Sequence, residues 1–207
     1  MQDFAHFSRF CASFRGFMKT NIAVFASGNG TNAENIIRHF ASNEHIGVSL
    51  VVSNRQNAFV LERAKALSID VISYSKDEWY SGDNILLELC KHKIDFIVLA
   101  GFLARIPTNI VHAYPDKIIN IHPSLLPRYG GKGMYGDFVH EAVLAAGEKE
   151  SGITIHYVNE HYDEGAVICQ KKCPVLPEDT LQTLSERVHE LEYKYYPSVI
   201  EELLIRL

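Results

Sequence analysis

The sequence lacks the features that identify most membrane, secreted and metal-binding proteins. No segment approaches the run of about twenty apolar residues that spans a bilayer. Its four cysteines form no Cys-x-x-Cys pair and follow no secretory signal, which favours reduced thiols in a cytoplasmic protein. The ten histidines are scattered, without a His-Glu-x-x-His motif, so we expect no metal. Ser124 lies in no Gly-x-Ser-x-Gly turn, which argues against a serine nucleophile.

The chain also has no excess of basic residues that would attract polyanions. It carries 20 Lys and Arg against 25 Asp and Glu, a formal net charge of -5. We therefore expect small-molecule substrates and neither a nucleic-acid nor a membrane partner. Hydrophobic residues at 47% are typical of a soluble globular protein with a sizeable core. The sequence leaves the oligomeric state open, and we expect a monomer or a weak homodimer.

The N-terminal segment does not fit the pattern of the rest of the chain. Residues 1–17 contain five phenylalanines but no clean apolar stretch and no small-residue cleavage site. Met18 leads directly into an apolar strand. We therefore expect residues 1–17 to be an extension outside the fold, and residues 18–207 to form a single domain.

Short apolar segments alternate with helix-length segments from Asn21 onward. The pattern predicts an open, doubly wound α/β sheet that is mostly parallel, with a late antiparallel strand pair and a C-terminal helix. The predicted strands are 22–26, 48–52, 70–73, 95–100, 118–121, 152–158 and 167–173. The predicted helices are 33–40, capped by Thr31 or Asn32, then 58–67, 77–92, 137–146 and one from Pro177 to about Tyr195, where Pro197 kinks or restarts it.

A glycine-rich turn, Ser-Gly-Asn-Gly-Thr-Asn at 27–32, follows the first predicted strand. In open α/β sheets this corner lies at the carboxyl end of the strands, where ligands bind. Glycines let the backbone approach an anion, and the start of the next helix supplies free N–H groups. A tight turn with a capped helix, without any ligand, explains the same residues.

Asn120 and His122 stand two residues apart at the end of a predicted strand, so their side chains leave from the same face. An amide donor and an imidazole at this position suit proton transfer and stabilisation of an oxyanion. The alternative is a capping Asn beside a core-edge His. Asp163, in the loop between the last two strands, is a candidate partner that would raise the pKa of His122 above about 6.5. Asp163 capping its own turn is the alternative.

Taken together, four segments resemble the folate-dependent phosphoribosylglycinamide formyltransferase (glycinamide ribonucleotide transformylase) family. They are Ala-Ser-Gly-Asn-Gly-Thr-Asn at 26–32, Val-Leu-Ala-Gly-Phe at 98–102, Asn-Ile-His-Pro-Ser-Leu-Leu-Pro at 120–127 and Asp-Glu-Gly at 163–165. The similarity runs from about Met18 to Leu204, in the same order and at similar spacing. The segment at 120–127 is specific to folate-dependent formyl-transfer domains.

The resemblance implies transfer of a formyl group from 10-formyltetrahydrofolate, the co-substrate, to the amine of 5-phosphoribosylglycinamide in purine biosynthesis. It implies that Asn120 and His122 hold the oxyanion while Asp163 supports His122 and relays protons. The implied acceptor-binding residues are Gly28, Asn29, Gly30, Thr31, Asn32 and Glu192. The implied folate-binding residues are Leu103, Ala104, Arg105, Ile106 and Asn120.

The sequence departs from the family pattern at two places. Arg105 follows Leu103 and Ala104, which displaces its charge by one position relative to the family arginine. The loop 128–136 is longer and richer in glycine than is typical, and we consider both a mobile lid and a simple connection.

Three other functions remain alternatives. A methionyl-tRNA formyltransferase carries a further basic domain, and a formyltetrahydrofolate hydrolase usually carries a regulatory one. A non-catalytic module that binds a phosphorylated metabolite would need the glycine turn but not Asn120, His122 and Asp163 together.

Overall fold

A seven-stranded sheet organises the computed structural model, which describes residues 19–206. The strands are β1 (Thr20–Phe25), β2 (Ile46–Ser53), β3 (Asp70–Ser73), β4 (Phe96–Leu99), β5 (Ile118–His122), β6 (Glu150–Tyr157) and β7 (Val167–Pro174). The helices are α1 (Thr31–Phe40), α2 (Phe59–Ala66), α3 (Lys76–Ser81), α4 (Asp83–Lys91), α5 (Thr108–Ala113), α6 (Asp137–Ala145) and α7 (Leu181–Ile205). The predicted extension 1–17 and the start at Met18 lie outside the described residues.

The strand order is β3-β2-β1-β4-β5-β6-β7, in which the first five strands are parallel. Strand β6 runs antiparallel to β5, and β7 runs antiparallel to β6. The predicted fold class, a mostly parallel sheet with a late antiparallel pair and a C-terminal helix, is confirmed. The order reverses between β1 and β4, so the segments after these two strands open a crevice at the carboxyl edge of the sheet.

Each face of the sheet packs against its own set of helices. Along β1, Ile22 and Val24 belong to a core built with α1, α2, α6 and α7. Ala23 and Phe25 point the other way, into a core with α3, α4 and α5 that also contains Trp79. Because successive side chains of a strand alternate between faces, a strand covered on both sides must be apolar throughout. Within residues 19–206, no helix is both long and apolar enough to cross a membrane.

The helix predicted at 77–92 is wrong, because the structure divides it into α3 and α4. Gly82 separates them with a left-handed backbone at φ 70°. Glycine adopts this conformation without the steric cost that a Cβ imposes, so it ends one helix and starts another.

The last helix also differs from its prediction. It begins at Leu181, capped by Thr180, and continues through Pro197 to Ile205 instead of ending near Tyr195. A proline inside a helix leaves the carbonyl four residues earlier without its donor. Here that carbonyl belongs to Tyr193, and it accepts a hydrogen bond of 2.9 Å from Nδ2 of Asn35 in α1. A side chain from a distant part of the chain thus compensates for the proline.

Candidate functional site

A cavity of about 570 Å³ opens at the carboxyl edge of the sheet, where the strand order reverses. It is lined by the glycine turn after β1, the segment after β4, the end of β5, the loop 131–136, and residues of α6 and α7. A smaller cavity of about 70 Å³ lies beside it. Four residues line both cavities: Phe102, Asn120, Tyr162 and Asp163.

The glycine turn presents the start of α1 to the larger cavity. Its N-cap residue is Gly30, at φ 77°, and no side chain caps the helix. The predicted capping by Thr31 or Asn32 is therefore wrong, because α1 already begins at Thr31. A Cβ on Gly30 would collide with Val60 of α2, so the close approach of the two helices requires glycine. The uncapped N–H groups of the first helical turn remain available to an anion.

A buried carboxylate of α7 lies next to the start of α1, at the end of the turn. Glu192 in α7 is 5% exposed, and its Oε2 accepts a hydrogen bond of 2.7 Å from Nδ2 of Asn32. The Nε2 atom of His189 lies 3.9 Å from the same oxygen. Burial raises the pKa of Glu192, and the nearby His189 and the Asn32 amide offset part of that rise. Asn32 is therefore oriented by Glu192, and both line the cavity.

Asn120 lies in β5 directly opposite His156 of β6. The amide nitrogen of Asn120 is 3.2 Å from Nε2 of His156. The other ring nitrogen, Nδ1, is 2.8 Å from the carbonyl oxygen of Tyr157. A carbonyl can only accept, so Nδ1 carries the proton and Nε2 is free to accept from the Asn120 amide. The buried His156 ring thereby fixes the orientation of the Asn120 side chain.

His122 ends β5 and is 3% exposed. Its Nε2 lies 2.7 Å from the carbonyl oxygen of Tyr129, so Nε2 donates and carries a proton. In the neutral ring Nδ1 is then the basic atom, and it lies 3.6 Å from Oδ2 of Asp163. That distance is too long for a hydrogen bond and is the approach expected of two acceptors. A proton added at Nδ1 would convert the approach into an ion pair.

Asp163 lies between the two imidazoles. Its Oδ2 accepts a hydrogen bond of 2.8 Å from the backbone N–H of Gly131, and its Oδ1 lies 3.6 Å from Nε2 of His156. Burial raises the pKa of Asp163, but the nearby His156 and His122 and the Gly131 N–H together outweigh it, so the pKa is lowered. The carboxylate is therefore ionised beside both rings at neutral pH.

The expected rise in the pKa of His122 is wrong. Burial lowers its pKa more strongly than the Asp163 carboxylate and the Tyr129 carbonyl raise it, and the neighbouring His156 lowers it further. Desolvation disfavours the charged ring. His122 is therefore neutral at physiological pH, which suits a group that accepts a proton.

The predicted folate-binding residues divide between the two cavities. Leu103 lines the larger cavity, whereas Ala104, Arg105 and Ile106 line the smaller one, together with Asn120. The guanidinium of Arg105 donates a hydrogen bond of 2.8 Å to the carbonyl oxygen of Glu160 and is exposed. Within residues 19–206, no group of three or more His, Cys, Asp or Glu side chains is arranged to hold a metal ion.

The structure also brings histidines to the site that the sequence analysis did not select. His156 contacts Asn120, and His140 and His189 line the larger cavity. His156 stands seven residues before Asp163 and next to Ile155 in a buried strand, where a polar side chain is unusual. That signal was available in the sequence, but its partner depends on the register of β5 against β6.

Comparisons with known proteins agree with this architecture. The family model described as formyl transferase matches residues 20–200. A phosphoribosylglycinamide formyltransferase of Bacillus subtilis is 40% identical over 187 residues, which cover 88% of this chain and 93% of that protein. The chloroplastic enzyme of Vigna unguiculata is 42% identical, but this chain spans only 61% of its length. For the chloroplastic relative of Arabidopsis thaliana the share is 64%.

Solved structures give the same result in three dimensions. The glycinamide ribonucleotide transformylase 1 of Geobacillus kaustophilus superposes with a TM-score of 0.83 at 37% identity, covering 90% of this chain and all of the other (100%). Sequence and fold thus agree, and the chain belongs to the formyl transferase family, among the phosphoribosylglycinamide formyltransferases.

Proposed function

We propose that this protein transfers the formyl group of 10-formyltetrahydrofolate to the amine of 5-phosphoribosylglycinamide, a reaction of de novo purine biosynthesis. The observation that carries the proposal is that Asn120 and Asp163 line both cavities. A group-transfer enzyme needs its reactive side chains where two bound substrates meet. The relatives named above carry this activity in their names.

The larger cavity suits the acceptor. Its glycine turn offers uncapped N–H groups at the start of α1 to a phosphate. The buried carboxylate of Glu192 lies beside Asn32 in the same cavity and can accept hydrogen bonds from ribose hydroxyls. The folate ring is assigned to the side of the site bordered by Ala104, Arg105 and Ile106, where the smaller cavity adjoins the larger one. The folate supplies the formyl carbon in activated form.

Between the cavities, each polar side chain has one task in the proposal. The amide of Asn120, oriented by His156, donates to the formyl oxygen as negative charge develops there. His122, neutral and unprotonated at Nδ1, accepts the proton that the attacking amine loses. Asp163 stabilises the resulting imidazolium across the 3.6 Å gap. The acceptor amine attacks the formyl carbon directly, without a covalent enzyme intermediate. The bond from that carbon to N10 of the folate then breaks, and the imidazolium of His122 gives its proton to the departing nitrogen.

The direct test is a formyl-transfer assay with both substrates and three variants. We expect His122→Ala, Asp163→Asn and Asn120→Ala each to lower kcat on the order of a hundredfold, the usual cost of losing one group that stabilises the transition state. The matched control is His39→Ala, whose ring pairs with Glu201 outside both cavities. An Asn120→Ala variant with the wild-type rate would contradict the role given to that amide.

The same assay separates the alternatives. Release of formate without acceptor would favour a hydrolase. Formyl transfer to methionyl-tRNA would favour the related tRNA enzyme. Tight binding of the phosphorylated acceptor with no turnover would favour a non-catalytic module.

A further inference from the structure

We propose that Arg63 is a positioning residue that sets the glycine turn in its anion-binding conformation; this inference rests on the proposed function. Arg63 lies in α2, outside the cavity lining, yet its side chain donates two hydrogen bonds to one residue of the turn, Asn29. Its Nε donates to the carbonyl oxygen of Asn29 at 2.9 Å, and its Nη2 donates to Oδ1 of Asn29 at 3.0 Å. One planar guanidinium thus holds both the backbone and the side chain of Asn29.

The contact matters because of where the carbonyl oxygens of the turn are directed. The oxygen of Gly28 accepts from the backbone N–H of Val60 at 3.1 Å, and that of Gly30 accepts from the N–H of Glu34 at 2.9 Å. With Asn29 held by Arg63, three consecutive carbonyl oxygens are each engaged by a donor of α1 or α2. None of them is free to face an anion, whereas a rotated Asn29 peptide would present negative charge to it.

Besides Asn29, two other side chains contact the guanidinium of Arg63. Its Nη1 forms an ion pair with Oε2 of Glu34, and its centre lies 4.9 Å from the middle of the Phe59 ring. Phe59 is 50% exposed, and its ring packs against the guanidinium of Arg63 at the surface. The other oxygen of Glu34, Oε1, is bound by Arg38. Arg38 and Arg63 lower the pKa of Glu34, which keeps the carboxylate ionised.

Geometry, more than bare charge, is therefore the contribution of Arg63. The guanidinium is already paired with Glu34, and its hydrogen bonds go to Asn29 and Glu34, while Arg63 itself lies outside the cavity lining. The forked donor pattern cannot be reproduced by lysine, whose ammonium is a single point of charge. A lysine at this position should behave like an uncharged residue of similar length.

The experiment compares Arg63→Lys and Arg63→Met with Arg38→Met, which removes the other arginine on Glu34 but touches nothing in the turn. We expect both Arg63 variants to raise the KM for 5-phosphoribosylglycinamide by about tenfold or more. Calorimetry should show the same loss of affinity for ribose 5-phosphate. The KM for the folate and the kcat at saturation should not change, and Arg38→Met should match the wild type in every measurement.

A wild-type KM for the acceptor in Arg63→Lys would overturn the proposal, because charge alone would then suffice. Should the Arg63 variants fail to fold, Asn29→Ala removes only the Nη2 contact and should produce a smaller rise in the same KM; an unchanged KM there also overturns it. If the wild type binds ribose 5-phosphate in an Arg63-dependent way but transfers no formyl group, the positioning role stands and the proposed reaction fails. If the wild type transfers the formyl group and both Arg63 variants have unaltered kinetics, the proposed reaction stands and the positioning role of Arg63 fails.

Discussion

At the scale of single residues, the site depends on which ring nitrogens carry protons. Backbone carbonyls of Tyr129 and Tyr157 accept from one nitrogen of His122 and of His156, respectively. These contacts leave Nδ1 of His122 and Nε2 of His156 unprotonated, and both face Asp163 at 3.6 Å. The two rings nevertheless have different roles. Nε2 of His156 accepts a hydrogen bond from the Asn120 amide and so orients it, whereas Nδ1 of His122 has no such donor and can accept a proton.

A test of this division concerns His156. In His156→Ala the Asn120 amide loses its anchor, so we expect kcat to fall on the order of tenfold to a hundredfold, the usual consequence of a misplaced reactive group. The KM for the acceptor should change little. His92→Ala is a suitable control, since that ring lies near Asp70 and lines neither cavity. If the variant of His156 turned over at the wild-type rate, Asn120 would not need to be oriented by that ring.

At the scale of elements, the packing of α1 against α2 shapes the mouth of the larger cavity. Gly30 joins β1 to α1 with a left-handed backbone, directly against Val60. A side chain here would have to move α2, and with it the residues that hold the turn. By contrast, a Cβ on Gly28 would meet no atom within 4 Å.

We therefore expect Gly30→Ala to lower the free energy of unfolding by about 2–4 kcal/mol, from backbone strain and overpacking together. Gly28→Ala should lower it by less than about 1 kcal/mol. Urea unfolding followed by circular dichroism measures both values. Equal effects of the two substitutions would show that the contact between Gly30 and Val60 is not the constraint that the structure indicates.

Element prediction from sequence succeeded where the cause is local and failed where a distant partner decides. The apolar strands 95–100 and 118–121 could be predicted because burial on both faces requires uniform composition. Pro197 predicted a break, yet Asn35, 158 positions before Tyr193, satisfies the Tyr193 carbonyl that the proline leaves free. The role of His156 likewise depends on cross-strand register with Asn120. Neither contact leaves a trace in the neighbouring residues.

At the scale of the whole molecule, the two-sided sheet encloses polar groups whose ionisation is linked to folding. His140 of α6 is 1% exposed, and its Nδ1 is enclosed without a hydrogen-bond partner among the described residues. Burial, together with the nearby His189 and His122, lowers the pKa of His140 to about 4, although Asp137 partly opposes the shift. The native state thus keeps this ring neutral in a pH range where an exposed histidine is charged.

This difference in the pKa of His140 between the folded and unfolded states predicts that the protein becomes less stable as the pH falls. In the unfolded chain the ring has its ordinary pKa near 6.5, so between pH 6.5 and 4 the unfolded state binds a proton that the folded state does not. The free energy of unfolding therefore falls as the pH is lowered through this window, by up to about 3 kcal/mol from His140 alone, and is unaffected by this group above pH 6.5. His140→Leu, which removes the titrating group while keeping a buried side chain, should flatten the pH dependence of denaturant unfolding between pH 7 and 4.5. His45→Leu, at an exposed ring, should leave the slope as in the wild type. A slope that survives in His140→Leu would assign the acid sensitivity to other groups.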